Sequence, residues 1–142
     1  MNQDINSTSI LALDVGSVRI GLSIASSPSF LISLLPATYN DSDFLNNLNK
    51  VIEDYSINTL VVGLPRNMSG EKTKQSEFVE KFVDNKLSDL GLKIIFQDES
   101  LTSVKAEDLL KTNKKSYTKS DIDSVSASFI LEDYLSNEVF KN

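Results

Sequence analysis

The chain has 142 residues, 40% of them hydrophobic, which is enough for one globular domain with a real core. It contains no cysteine and no histidine, which excludes disulfides, thiolate metal sites, imidazole bases and Ser-His-Asp triads. A formal net charge of -6 argues against nucleic-acid binding through bulk charge and leaves room only for a local basic patch.

Any catalysis must therefore use carboxylates, hydroxyls, lysines or a bound cation. Oxygen ligands select hard ions such as Mg²⁺ or Mn²⁺. Met1-Asn2-Gln3-Asp4 lacks the basic and apolar regions of a signal peptide. No apolar run approaches the ~18 residues of a membrane span. The expectation is a cytoplasmic protein with no membrane partner: a single domain over 1–142 with a loose polar start at 1–8.

Ser9 to Asp14 reads as a strand that is apolar on both faces, and Arg19 to Ala25 as a second strand. The short link Val15 to Val18 makes them a hairpin. Phe30 to Tyr39 reads as a third strand, which Pro36 confines to an edge or an early end. These strands form an antiparallel meander. The period then changes. Phe44, Leu45, Leu48, Val51, Ile52 and Tyr55 recur at helical spacing after the helix-start residues Asp41-Ser42-Asp43. Asn58 to Leu64 is a wholly apolar strand, so the helix before it is a crossover and the strand pairs in parallel.

A second helix is expected from about Lys72 to Leu90, with Phe78, Phe82, Val83, Leu87 and Leu90 inward and Gly91 as its stop. Leu92 to Gln97 is a further strand, with Asp98 and Glu99 at its end. Thr102 or Ser103 caps a short helix carrying Ala106, Leu109 and Leu110. Lys111, Lys114, Lys115 and Lys119 lie in a polar link, and a last helix starts at Ser120.

The acids that stand out do so by position. Asp14 ends a buried strand and precedes a glycine turn. Buried there, it needs either a turn donor or a cation, and plain turn chemistry accounts for it equally well. Asp98 and Glu99 end the last strand, and either of them also serves as a helix cap or a solvated loop residue. Asp123 aligns with Ala127, Ile130 and Tyr134 on a buried helical stripe, but Ser120-x-x-Asp123 also reads as a capping pattern. If the first and last strands lie close, these carboxylates converge, and a divalent cation makes their burial tolerable. The lysines of the link read either as phosphate contacts or as a solvated linker.

Four segments together resemble the YqgF/RuvX family, the Holliday-junction-resolvase-like proteins to which pre-16S rRNA nuclease activity is ascribed. They are Ala12-Leu13-Asp14-Val15-Gly16 with Arg19-Ile20-Gly21, and Val61-Val62-Gly63-Leu64-Pro65 with Asn67-Met68-Ser69-Gly70. The others are Asp98-Glu99-Ser100-Leu101-Thr102-Ser103 with Ala106-Glu107, and Ile122-Asp123-Ser124-Val125-Ser126-Ala127 with Ile130-Leu131. They occur in the family's order over nearly the whole chain. The resemblance implies an α/β, RNase H-like single domain with a mixed five-stranded sheet flanked by helices. It also implies an acidic nuclease site that holds one or two Mg²⁺ or Mn²⁺ ions on Asp14, Glu99 and Asp123, with Glu99 chosen over Asp98 because the family motif centres on that glutamate. Arg19, Lys114, Lys115 and Lys119 are the candidate phosphate contacts. Precursor rRNA is the implied partner, and branched DNA the alternative.

The chain departs from the family in carrying Ser100 where Asp-Glu-Arg is usual, and Val18 where Lys often precedes Arg-Ile-Gly. Two basic groups are absent as a result. Other readings are a non-catalytic binding module on the same fold, and an actin-like or sugar-kinase-like phosphotransferase. The latter normally needs two such domains, and 142 residues hold one.

Overall fold

The computed structural model describes residues 7–66, 71–99, 108–109, 111 and 118–139. Five strands form one mixed sheet in the order β3-β2-β1-β4-β5. They are β1 (Ser9–Val15), β2 (Arg19–Ser26), β3 (Ser33–Tyr39), β4 (Thr59–Pro65) and β5 (Lys93–Glu99). The first three make the expected antiparallel meander. The crossover helix α1 (Phe44–Asp54) returns the chain so that β4 lies parallel to β1, and β5 then lies parallel to β4. Pro36 sits in the edge strand β3, where a missing ladder donor is tolerated.

Alternation along the strands builds two cores. Leu11, Leu13, Leu22, Leu60 and Val62 point to one face and pack with Phe44, Leu48, Val79, Phe82 and Leu87 from the helices on that side. The rings of Phe44 and Phe82 meet at 5.3 Å and 59°, a tilted aromatic contact. Ile10, Ala12, Ala25 and Val61 point to the other face. There they meet Ile130, Leu131 and Tyr134 of the last helix, α3 (Lys119–Tyr134).

The second helix is shorter than its sequence period suggests. Regular α2 covers Lys74–Phe82, after which the chain widens over Val83–Leu87 and tightens over Ser88–Leu90. Gly91, at φ 75°, ends it in the left-handed region that glycine adopts at least cost. Phe78, expected inward, is exposed, because Val79 and Phe82 hold the buried stripe. The last strand also runs farther than expected, so Asp98 and Glu99 belong to β5 itself. The cap at Thr102 or Ser103 lies outside the described residues, as do Ala106 and Leu110. Among the described residues no helix is long and apolar enough to cross a membrane.

The last helix starts earlier than Ser120. Thr118 is its N-cap and accepts a hydrogen bond from the Asp121 amide, while the Asp121 side chain accepts from the Thr118 amide at 2.8 Å. This reciprocal box satisfies donors that the helix itself leaves open. Thr118→Ala should therefore cost about 1 kcal/mol in a urea melt. An unchanged midpoint would show that the cap carries no weight.

Candidate active site

The strands β1, β4 and β5 run in parallel, so their C-terminal ends share one edge of the sheet, where open α/β sheets bind ligands. Asp14 is the penultimate residue of β1, and Glu99 is the last residue of β5. Alternation assigns the faces. Asp14 follows Ile10 and Ala12 toward α3, and Glu99 follows Ile95 to the same side. Asp98 points the other way and takes Arg66 Nε at 3.1 Å. Glu99 is buried while Asp98 is exposed. The pleat therefore separates the two acids, and the one on the α3 side is the glutamate.

Asp123 reaches this edge from above. Gly21 of β2 pairs with Asp14, and a Cβ on Gly21 would fall 1.9 Å from the Asp123 carbonyl oxygen. The start of α3 thus lies directly on the β2 backbone, beside Asp14. A second glycine contact guides the far half of the helix: a Cβ on Gly63 would fall 2.3 Å from Ile130 Cδ1. Small residues continue this fit, with Ser124, Val125, Ser126 and Ala127 buried in succession.

Electrostatics registers the approach. Burial, and after it the neighbouring Asp123 carboxylate, pushes the Asp14 carboxyl up from 3.8 to about 6. Asp123 takes no part in the cap, because Thr118 is the N-cap and Asp121 is its partner in the capping box. Instead it accepts a hydrogen bond and ion pair from Arg19 Nε at 2.7 Å, with the two side chains 28% and 19% exposed. Sequence reasoning placed Arg19 among the phosphate contacts, whereas the structure commits its guanidinium to Asp123. Nothing in either motif signals this pairing across 104 positions. Lys119 is exposed and lies one helical turn before Asp123, at the rim of the site. Lys114 and Lys115 lie outside the described residues.

The structure brings together Asp14 and Asp123 and leaves Glu99 farther off on the same face. Asp14 lies one step past the paired Leu13 and Val62, and Glu99 pairs with Pro65 at the end of β4. The strand spacings then put the two backbones roughly 12 Å apart. Among the described residues no three of His, Cys, Asp and Glu stand close enough together to hold a metal ion. The adjacent pair nevertheless fits a hard cation: both donors are carboxylates, and the partly buried Asp14 is pushed up first by desolvation and then by the charge of Asp123. A proton and a cation would compete for Asp14. Because its carboxyl titrates near 6, Mn²⁺ affinity should hold above pH 6 and fall about tenfold per unit below it. Calorimetric Mn²⁺ titrations at pH 7.5 and 5.0 check this, and equal affinities would remove Asp14 from the ligand set.

Comparison with known proteins agrees with the geometry. The family profile RuvX, described as Holliday junction resolvase, matches residues 8–137. A protein of Sulfurihydrogenibium sp. named "Putative pre-16S rRNA nuclease" is 37% identical over 135 residues, covering 94% of this chain and 93% of its own. One of the same name from Mycoplasma mobile is 35% identical over 136 residues, covering 92% and 94%. Among solved structures, Thermus thermophilus RuvC in complex with Holliday junction substrate superposes with a TM-score of 0.56 at 11% identity, covering 93% of this chain and 97% of that one. The Fowlpox virus resolvase in complex with Holliday junction DNA superposes at 0.53 and 16% identity, covering 93% and 99%. The fold is that of the RNase H-like resolvases, as the five-stranded order implies.

Proposed function

This chain belongs to the RuvX family, and from that premise we propose that it hydrolyses phosphodiester bonds of structured nucleic acid, with precursor 16S rRNA as its substrate. The observation that carries the reading is the Asp14–Asp123 pair at the C-terminal edge of the parallel strands. Two partly buried carboxylates held side by side repel each other, and a cation that joins them relieves the repulsion.

Asp14 and Asp123 would hold the cation, and Glu99 offers a further carboxyl farther off on the same face, at the end of β5. When bound, Mg²⁺ or Mn²⁺ would supply charge for the leaving oxygen and acidify a water molecule. The chain's own part is positional. The rigid end of β1 fixes Asp14, and the packed start of α3 fixes Asp123. Lys119, with Lys114 and Lys115, contacts the phosphates that flank the cleaved bond. With a net charge of -6, the chain has little bulk attraction for a polyanion, so these local contacts carry the binding.

Neutralising Lys119 should then reduce the slope of log affinity against log salt by about 0.7–0.9. An unchanged slope would return Lys119 to a solvated surface role. The function itself is tested by offering a precursor 16S rRNA fragment and a four-way DNA junction with Mn²⁺. Cleavage of the RNA supports the proposal. Cleavage of the junction alone favours a DNA resolvase. Cation binding without cleavage of either makes the chain a binding module.

A further inference from the structure

We propose that Arg19 is the resident counter-charge of the acid pair, and that a divalent cation loads by displacing its guanidinium from Asp123. The inference rests on the cation-site reading above and adds how that site is held when no cation is bound.

The geometry restricts what can move. The Arg19 backbone is pinned in the hairpin, where its carbonyl accepts from the Gly16 amide at 3.0 Å. The next loop clamps the same turn: the Asn40 amide donates to the Val18 carbonyl at 2.8 Å, and Asn40 Nδ2 donates to the Gly16 carbonyl at 2.9 Å. Asp123 is pinned from the other side, because its own backbone carbonyl rests on Gly21. The Arg19 side chain is partly open to solvent and can swing away without moving either backbone. Its Nε occupies Asp123 Oδ2 at charge-assisted distance.

A guanidinium and a divalent cation have the same sign and seek the same oxygen. Holding both at one carboxylate brings like charges together, so loading and the ion pair oppose each other. The released guanidinium remains tethered at the rim of the site, where it faces a bound phosphate and offers the planar fork that phosphate recognition favours. Arg19 is thus a positioning residue with two stations. It neutralises Asp123 in the empty site, and it becomes a phosphate contact once the cation is in place. It also sets a threshold for loading, since an incoming ion must outcompete a resident positive charge.

The test is a Mn²⁺ titration of the wild-type chain, Arg19→Gln, Asp123→Asn and the double variant, read as a dissociation constant and independent of cleavage. Removing a competitor should tighten Mn²⁺ binding in Arg19→Gln by about fivefold or more, the lower end of common coupling strengths. In the Asp123→Asn background, Arg19→Gln should have no further effect, because the contested carboxylate is gone. If wild-type binding depends on Asp123 but Arg19→Gln binds Mn²⁺ equally or more weakly, the displacement proposal is overturned while the cation site stands. If neither the wild-type chain nor Arg19→Gln binds Mn²⁺, the cation site itself is wrong and the proposal falls with it. Should Arg19→Gln fail to fold, Arg19→Met takes its place: it keeps a long unbranched side chain but loses the charge, and unchanged affinity there also overturns the proposal.

Discussion

Asp14→Asn is expected to make the cation-free protein more stable and the enzyme inactive. The Asp14 carboxyl is raised from 3.8 to about 6, so its ionised form is disfavoured in the folded chain. Above pH 6 that corresponds to about 3 kcal/mol of lost stability. The sign follows from proton binding. Between pH 3.8 and 6 the folded state holds the Asp14 proton more tightly than the unfolded state, so stability falls as pH rises through that window. Above it the deficit is constant. The amide variant has no such slope at this position. At pH 7.5 without metal it should be more stable by about 1–3 kcal/mol in urea, with part of the gain offset by a buried amide. The advantage should vanish near pH 4. Cleavage should fall by about 10²-fold or more, since losing even a residue that merely supports a metal ligand reaches that scale. An Asp14→Asn protein that is less stable at pH 7.5 would mean that the carboxylate is satisfied by its surroundings and carries no stored repulsion.

The second large effect is expected at Gly21. A methyl group there would lie 1.9 Å from the Asp123 carbonyl oxygen and 2.3 Å from its carbonyl carbon, both of them backbone atoms inside a helix. Neither can swing aside, so α3 must lift or β2 must bend. Gly21→Ala should cost about 3 kcal/mol or more, the upper end of overpacking penalties. In a chain of this size that lowers the melting temperature by roughly 10 °C. It should also weaken Mn²⁺ binding as Asp123→Asn does, because the helix that carries Asp123 leaves Asp14. Gly91→Ala is the control. Nothing lies within 4 Å of its added methyl, and its φ of 75° costs only conformational strain. That variant should lose about 1 kcal/mol and keep full Mn²⁺ affinity. Equal behaviour of the two variants would show that the close contact at Gly21 does not position the site.

The sheet was legible because its strands are short runs separated by a glycine turn and by Gly91, because Pro36 marks β3 as an edge strand, and because a helical period separates the meander from β4. Asp14 and Glu99 were legible for a related reason: each ends such a run. Asp123 was ambiguous, since Ser120-x-x-Asp123 and Thr118-x-x-Asp121 both satisfy a capping pattern. Only the helix start decides between them, and it falls at Thr118. Phe78 was misplaced because α2 is short and its buried stripe passes through Val79 and Phe82. The Arg19–Asp123 ion pair had no sequence signal, because it joins residues 104 positions apart that meet only once α3 lies on β2. The close approach at Gly21 was hidden for the same reason, since a glycine in a strand looks alike whether a helix or water lies above it.

The central claim is that Asp14 and Asp123 form a divalent-cation site, and thermal melts of the wild-type chain and Asp123→Asn, with and without Mn²⁺ at pH 7.5, test it most directly. At a hundredfold excess of Mn²⁺ over its dissociation constant, binding contributes about 2.7 kcal/mol. The wild-type melting temperature should therefore rise by about 5–10 °C, while Asp123→Asn stays within a degree or so of its metal-free value. A wild-type melt indifferent to millimolar Mn²⁺, or an equal rise in both proteins, would contradict the account.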